Sequence, residues 1–233
     1  MREQYQDKNF KYTDAESYDR RGESSVLENY VLGLWQPFLK EKIKNLSIGK
    51  VMVDFGCGTG EYAQAAVAAK KIYAVDVSES MLEVCREKLK DFPQAEIIQS
   101  SIQDFNIAEP TELMIAIGVW EYINPRDLCA KIKEITCRGS KIVVVFPNIY
   151  NNLNWMRSLW RMKKIALRPG FIKNLFKNDF ALIDSVSFGA VFWTPQKLQF
   201  MILPVWKFCD FIWSPFQKLL PLGINVYYLF ERK

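Results

Sequence analysis

Histidine is absent from all 233 residues of the chain. Imidazole is the base of Ser/His and Cys/His nucleophile pairs, a frequent zinc ligand and the usual proton acceptor near neutral pH. The sequence therefore excludes any mechanism in this chain that depends on one of these roles. An acid or base here has to be another side chain.

Cysteine is scarce and irregularly placed. The chain has five cysteines, an odd number, and no two of them form a Cys-x-x-Cys pair. Neither a disulfide framework nor a zinc site is supported by that pattern. The first ten residues, MREQYQDKNF, lack the apolar core of a signal peptide. We expect a reduced, cytoplasmic protein with no bound metal.

Long apolar runs are also missing. The most apolar stretch, residues 197–223, is interrupted by Pro204, Lys207, Asp210 and Pro215. A membrane-spanning helix needs about 20 largely apolar residues, so this stretch is not expected to cross a bilayer. The 11 glycines and 10 prolines follow no period, which excludes collagen-like and low-complexity classes.

The composition, 49% hydrophobic, is sufficient for one sizeable core. Short apolar runs alternate with amphipathic segments in the middle of the chain. Strands are predicted at 51–55, 72–75, 95–99, 113–117 and 142–146, and helices at 61–69, 79–89 and 126–136. Because parallel strands need crossovers of about a dozen residues, this spacing predicts a doubly wound α/β sheet with helices on both faces.

Three regions are expected along the chain. Residues 1–48 form an N-terminal arm and helices that act as a lid, with a helix starting near Ser24 or Ser25 and kinked or ended at Pro37. Residues 49–150 form the central core. Residues 151–233 complete the sheet as a cap on the acceptor side, with a helical stretch at 151–167 and strands at 180–186 and 225–230 around a helical insertion.

A glycine motif follows the first predicted strand: Asp54-Phe55-Gly56-Cys57-Gly58-Thr59-Gly60. Glycines at alternate positions allow a tight turn and let backbone approach a ligand where a Cβ would collide. The second predicted strand ends in Asp76, where a carboxylate can accept both hydroxyl hydrogens of a ribose. The spacing is shorter than the dinucleotide fingerprint that seats a pyrophosphate, so a nucleoside without phosphates is favoured.

This motif resembles the first motif of the class I S-adenosylmethionine-dependent methyltransferases, an acid followed by Gly-x-Gly-x-Gly. Asp54, Gly56, Gly58 and Gly60 match it position for position. The resemblance extends over residues 50–148 and includes a Pro-Asn ending of the ubiquinone-type O-methyltransferases. It implies a Rossmann-like seven-stranded sheet, mostly parallel with an antiparallel last strand. The implied cofactor is S-adenosyl-L-methionine, with S-adenosyl-L-homocysteine as product.

The matching motifs imply individual roles. Gly56 and Gly58 would lie under the methionine moiety, with Cys57 as a small filler between them, and Asp76 would bind the ribose. The other cofactor positions come from the second, third and fourth motifs: Val77, Met81, Ser101, Ile102 and Gly118. Met81 and Ile102 would flank the adenine, and Ser101 stands where an Asp commonly contacts the adenine amino group.

The main departure from the family is at Tyr122, where relatives usually have a histidine after the fourth strand. We expect Tyr122 to be the catalytic-side residue that orients an acceptor hydroxyl. Methyl transfer is an in-line displacement, so positioning supplies most of the acceleration. A base is required only for a poor nucleophile such as an aliphatic hydroxyl.

Charge is unevenly distributed. Of the 31 basic and 26 acidic residues, residues 151–233 contain 12 and four, together with five of the seven tryptophans. An ordinary cap over the sheet would explain the aromatic residues. Alternatively, the segment contacts an anionic membrane peripherally, with Trp155, Trp160, Trp193, Trp206 and Trp213 at the headgroup level. Nucleic acid is not expected, because no RNA-binding module is recognisable.

The sequence therefore predicts a methyltransferase that acts on an oxygen of a hydrophobic or lipid-linked small molecule. Two alternatives remain open. One is a soluble enzyme acting on a natural-product or sugar intermediate, and the other is a noncatalytic module that binds the cofactor or its product.

Overall fold

One seven-stranded sheet organises the protein. The computed structural model describes residues 15–23, 25–151, 166–192, 194–219 and 221–233. The strands are β1 (Val51–Phe55), β2 (Lys71–Asp76), β3 (Ala95–Gln99), β4 (Thr111–Ile117), β5 (Thr136–Pro147), β6 (Phe180–Phe188) and β7 (Asn225–Arg232). Their order is β3-β2-β1-β4-β5-β7-β6, and β7 alone runs antiparallel to its two neighbours. The predicted mixed sheet with an antiparallel last strand is confirmed.

Helices cover both faces of this sheet. They are α1 (Ala15–Asp19), α2 (Val26–Leu46), α3 (Glu79–Lys88), α4 (Pro125–Ile135), α5 (Pro169–Phe176) and α6 (Gln199–Trp213). Along β1, Val51, Val53 and Phe55 enter one hydrophobic core and Met52 enters the other. A strand that is buried on both faces is apolar throughout, as parallel strands generally are.

Helix α2 is longer than the sequence predicts, because it continues through Pro37 to Leu46. Ser25 caps its start, with its hydroxyl accepting a hydrogen bond from the Glu28 N–H at 3.0 Å. Proline removes the bond to the carbonyl four residues earlier, at Gly33. Gly33 and Pro37 both lie on the exposed side of the helix, so water can satisfy that carbonyl. One side of the helix is buried against the hydrophobic core, and its residues are Leu27, Val31, Trp35, Leu39 and Ile43.

The predicted helix at 61–69 is wrong. This segment contains only a short 3-10 turn, Ala63–Ala65, between other turns. Its end pairs with the backbone that precedes β1: the Gly49 N–H donates to the Ala68 carbonyl at 2.8 Å, and the Lys70 N–H donates to the Lys50 carbonyl at 2.9 Å. Helix propensity is a weak preference that tertiary contacts override. These two hydrogen bonds pair the end of the segment with residues 49 and 50 instead of with a helical turn.

Residues 189–224 form an insertion between β6 and β7 that starts and ends at the carboxyl edge of the parallel strands. Asn225, the first residue of β7, pairs with both Pro147 of β5 and Phe188 of β6. The buried Asn148 side chain donates to the Pro221 carbonyl at 2.5 Å and to the Gly223 carbonyl at 2.8 Å. The insertion is therefore fixed to the end of β5.

Two of the five tryptophans expected at a membrane surface are described, and they differ: Trp213 at the end of α6 is partly exposed, whereas Trp206 does not fit the expectation. Trp206 of α6 is fully buried and stacks on Tyr30 of α2, with ring centroids 6.3 Å apart. It therefore does not lie at a headgroup level. Trp155, Trp160 and Trp193 lie outside the described residues, as does most of the predicted helical stretch at 151–167.

Gly223 is required by packing at the end of the insertion. A Cβ at this position would lie 2.3 Å from the backbone carbonyl oxygen of Phe188, which cannot move without displacing β6. Gly223→Ala is expected to lower the free energy of unfolding by about 1–3 kcal/mol, measured by urea denaturation. Gly170→Ala is the control: nothing lies within 4 Å of its Cβ position in α5, and alanine favours a helix. Equal stability of the two variants would contradict the packing argument.

Candidate active site

The glycine loop, residues 56–60, follows β1 at the carboxyl edge of the sheet. All three of its glycines have positive φ: 68° for Gly56, 54° for Gly58 and 81° for Gly60. A Cβ on Gly60 would lie 2.8 Å from the Cys85 sulfur, so Gly60 is required by packing within the protein. At Gly58 the nearest atom would be Cε1 of Tyr18 at 3.8 Å, so an added methyl group would touch the Tyr18 ring without a clash.

Three backbone N–H groups tie this loop to the end of β2. Those of Gly56 and Cys57 donate to the Val75 carbonyl at 2.8 and 3.1 Å. The Gly58 N–H donates to Oδ2 of Asp76 at 2.9 Å, and the Ser78 N–H donates to Oδ1 at 2.9 Å. The carboxylate is thus fixed in orientation by one bond on each oxygen. Each oxygen keeps further lone pairs that hydroxyl groups can use.

Two carboxyl groups in this region have raised pKa values. Burial raises the pKa of Asp76, although its backbone hydrogen bonds counteract the shift. Asp54 is 2% exposed at the end of β1, and burial, reinforced by the charge of Asp76, raises its pKa to about 8. Within the described part of the chain, Oδ2 of Asp54 has no hydrogen-bond partner.

These features fit the cofactor that the sequence implies. S-adenosyl-L-methionine carries a ribose diol, an ammonium group and a carboxylate. Asp76 presents an oriented carboxylate for the diol, and the buried orphan oxygen of Asp54 is the kind of acceptor that a bound donor explains. Gly118, at the end of β4, is exposed with φ 68°, and no atom lies within 4 Å of its Cβ position. The loop ends of β1, β2 and β4 thus leave space for such a ligand.

The residues predicted to contact the adenine differ in how exposed their side chains are. Val77 is 54% exposed at the end of β2, whereas Met81 is fully buried in α3. Ile102 is nearly buried, and the Ser101 hydroxyl donates to Asp104 at 2.6 Å, within a turn. The adenine contact by Met81 stays a prediction, and the burial of this side chain does not favour it. Val77 has the exposed apolar side chain that an adenine could contact.

The N-terminal arm contacts the glycine loop. The Tyr18 ring lies over Gly58, and Asp19 accepts from the Thr59 hydroxyl at 2.5 Å. Lys88 of α3 joins this network, 2.5 Å from Asp19 and 3.1 Å from the Thr59 hydroxyl oxygen. Sequence reasoning missed Asp19 and Lys88, because nothing in the pattern pairs an arm residue with the end of a helix 69 positions later. Elsewhere in the arm, Tyr12 and the Arg21 side chain lie outside the described residues.

Tyr122 lies in the turn after β4. Its backbone N–H donates to the Val119 carbonyl at 3.0 Å, and its side chain is partly exposed. Glu121 precedes it, half-buried. Among the residues described, no cluster of His, Cys, Asp or Glu is suited to a metal ion. Nor does any described helix have the length and apolarity to cross a bilayer.

Two glycine variants distinguish the effect of backbone strain on stability from an effect on ligand binding. Gly58→Ala and Gly49→Ala each place a side chain at positive φ, 54° and 68°, and each is expected to cost about 1–2 kcal/mol of stability. Only Gly58→Ala also places a methyl group between the glycine loop and the Tyr18 ring, so its affinity for S-adenosyl-L-homocysteine is expected to fall about tenfold or more. Isothermal titration measures the affinity. The assignment is wrong if both variants bind like the parent.

The pKa of Asp54 predicts a pH-dependent stability. Because this pKa is raised to about 8 in the fold and is near 4 in the unfolded chain, the folded state holds an extra proton between these values. Unfolding free energy without cofactor is therefore expected to fall as pH rises from 5 to 9, with a slope of at most about 1.4 kcal/mol per pH unit. Asp54→Asn, which cannot ionise, should lose this slope. Parallel stability curves for the two proteins would contradict the assigned pKa.

Comparison with known proteins places this site in a family. A model described as a methyltransferase domain matches residues 52–138, from β1 to the start of β5. Carboxy-S-adenosyl-L-methionine synthase 1 of Yersinia pseudotuberculosis is 26% identical over 175 residues, covering 62% of this chain and 72% of the relative. Malonyl-(acyl-carrier protein) O-methyltransferase 1 of Ilyobacter polytropus is 28% identical over 76 residues, 31% of this chain and 28% of the relative.

Solved structures show the same fold. Magnesium protoporphyrin IX methyltransferase of Synechocystis, with bound S-adenosyl-L-homocysteine, superposes with a TM-score of 0.67 and 12% identity, covering 95% of this chain and 96% of that one. The names of these curated relatives specify different reactions. Residues 52–138 therefore match a methyltransferase domain, and the sheet around them has the Rossmann-like order, so the chain is similar in domain and fold to the S-adenosyl-L-methionine-dependent methyltransferases.

Proposed function

We propose that the enzyme transfers a methyl group to an oxygen atom of a hydrophobic or lipid-linked small molecule. The observation that carries this proposal is the apolar character of the carboxyl edge beside the glycine loop. Tyr150, directly after β5, is 57% exposed, and Leu222, in the return of the insertion, is 49% exposed. Phe192 and Tyr122 are partly exposed at the same edge. An acceptor that enters here meets aromatic and aliphatic side chains.

The cofactor-binding roles follow from the same edge. Gly56 and Gly58 support the methionine moiety, and Asp76 binds the ribose through the lone pairs that its two backbone bonds leave available. Val77 contacts the adenine from one side and Ile102 from the other. Tyr18 lies over the loop, where it excludes water from the bound ligand.

The cofactor supplies an electrophilic methyl group on a sulfonium centre. The protein has to hold an oxygen nucleophile in line with that group and exclude water, since positioning supplies most of the rate enhancement. Tyr122 orients the acceptor oxygen through its phenol. Burial raises the pKa of Asp54 to about 8, but its side chain is 2% exposed, so it does not act as a base on the acceptor.

The absence of histidine restricts the acceptor further. An aliphatic hydroxyl needs a base, whereas an ionised carboxylate or an acidic phenol or enol does not. We therefore assign the acceptor oxygen to one of these acidic groups. A Tyr122 hydroxyl that donates a hydrogen bond to such an oxygen holds it in place without removing a proton.

Labelled cofactor tests the proposal directly. Incubation of the enzyme with methyl-labelled S-adenosyl-L-methionine and separated lipid and aqueous cell extracts is expected to label the lipid fraction. Tyr122→Phe should lower kcat about five- to a hundredfold, as expected for the loss of one oriented hydrogen bond, with cofactor affinity unchanged. The rate should rise with pH to the pKa of the acceptor in both proteins.

Asp76→Ala is the control for this experiment, because it should abolish labelling by weakening cofactor binding, seen by titration. Label confined to the aqueous fraction would contradict a hydrophobic acceptor and support a soluble substrate. No label in either fraction, with normal cofactor binding, would favour a noncatalytic role.

A further inference from the structure

Helix α6 and the turn after it present apolar side chains to solvent. Apolar residues on one side of α6 pack inward, as Trp206 does. Those on the opposite side are exposed, with Phe200 at 77%, Phe208 at 64% and Phe211 at 73%. We define the α6 outer face as the exposed apolar residues Phe200, Met201, Val205, Phe208, Phe211 and Ile212. A helix that is apolar all round is normally buried, so this face lacks a partner in the described structure.

Within residues 194–219 the exposed charges are all positive. Lys197 and Lys207 are exposed and form no ion pair with any described residue, whereas Lys218, beside the following turn, pairs with Asp184 at 3.3 Å. Asp210, the single acid in 194–219, turns inward. It accepts from the Tyr30 hydroxyl at 2.5 Å and from the Ala190 N–H at 2.6 Å. An apolar face bordered by cations matches an interfacial helix on an anionic lipid surface.

The location of the face connects it with the acceptor. Because the insertion begins after Phe188 and returns at Asn225, α6 is carried on the edge of the sheet where the glycine loop lies. A groove of about 470 Å³ between α2 and α6 adjoins the face, with Leu34, Phe200, Leu203 and Lys207 among its lining residues. The insertion that carries this face also contains Leu222, one of the exposed side chains at the proposed entrance for an apolar acceptor.

We propose that the α6 outer face docks the enzyme on an anionic membrane, from which it takes its acceptor. This inference rests on the proposed hydrophobic acceptor and names its source. A second copy of the chain is the competing occupant, but two such faces in contact would bring their lysines together with no exposed acid between them.

Vesicle flotation tests the docking. The full chain is expected to float with vesicles of phosphatidylcholine and phosphatidylglycerol and to bind pure phosphatidylcholine more weakly. Phe208→Gln/Phe211→Gln should lower partitioning onto the anionic vesicles about tenfold or more, since the affinity scales with buried apolar area. Lys197→Gln/Lys207→Gln should lower it about fivefold for each charge, and only on the anionic vesicles.

Matched controls come from the opposite edge of the sheet. Ile48 and Val67 are 61% and 54% exposed, and Lys44 and Lys70 are exposed cations. Their Gln variants remove exposed apolar side chains and the same number of charges away from α6, and they should float like the parent. Binding of S-adenosyl-L-homocysteine by each variant verifies that the fold is intact.

The outcomes distinguish docking from catalysis. Undiminished flotation of Phe208→Gln/Phe211→Gln, or equal binding to neutral and anionic vesicles, would overturn the proposal. A parent that fails to float but forms a dimer in light scattering, which this variant abolishes, would assign the face to a second copy instead. Lipid labelling without flotation would contradict the docking alone, and flotation without lipid labelling would contradict the acceptor alone.

Discussion

The attachment of the glycine loop to the end of β2 is the constraint on which the site depends. Three consecutive N–H groups, from Gly56 to Gly58, donate to the carbonyl of Val75 and to the carboxylate of Asp76. These bonds fix the loop and orient the carboxylate at once. The cost is a second carboxyl, Asp54, buried behind the loop with an unpaired oxygen and a raised pKa. Ligand affinity and the pH dependence of stability thus have a common origin in one short turn.

Regular alternation made the sheet predictable from the sequence. Strands β1 and β3 have the predicted bounds. Each is a short apolar run between segments of different pattern, so its two ends are visible in the sequence. Two failures have local physical causes. The alanine-rich segment after Gly60 is a good helix former, but its backbone pairs with Gly49 and Lys50. Pro37 reads as a helix stop, yet a buried stripe that continues on both sides of it and an exposed Gly33 carbonyl let the helix continue.

The backbone positions of the candidate site residues were predictable from local sequence. The glycines and Asp76 occupy the predicted positions, because their conformation depends on local turns and strand ends. Side chains that depend on tertiary packing were not predictable. Charge and aromatic content marked the C-terminal region as unusual, but composition does not indicate which side of α6 faces inward. The structure buries Trp206 and exposes the phenylalanines.

The pairing of Asn225 with both Pro147 and Phe188 has a consequence for how this protein can change. Pairing in the sheet fixes only the short distance between the two ends of the insertion. The entropic cost of closing a loop grows slowly with the length of the loop. Segments of other lengths can therefore replace residues 189–224 while β5, β6 and β7 stay in register. The replacement needs a glycine at the position of Gly223, where the backbone of Phe188 leaves no space for a Cβ. The recognition of acceptors can diverge by exchange of one surface module, while the half of the sheet that binds the cofactor is left untouched.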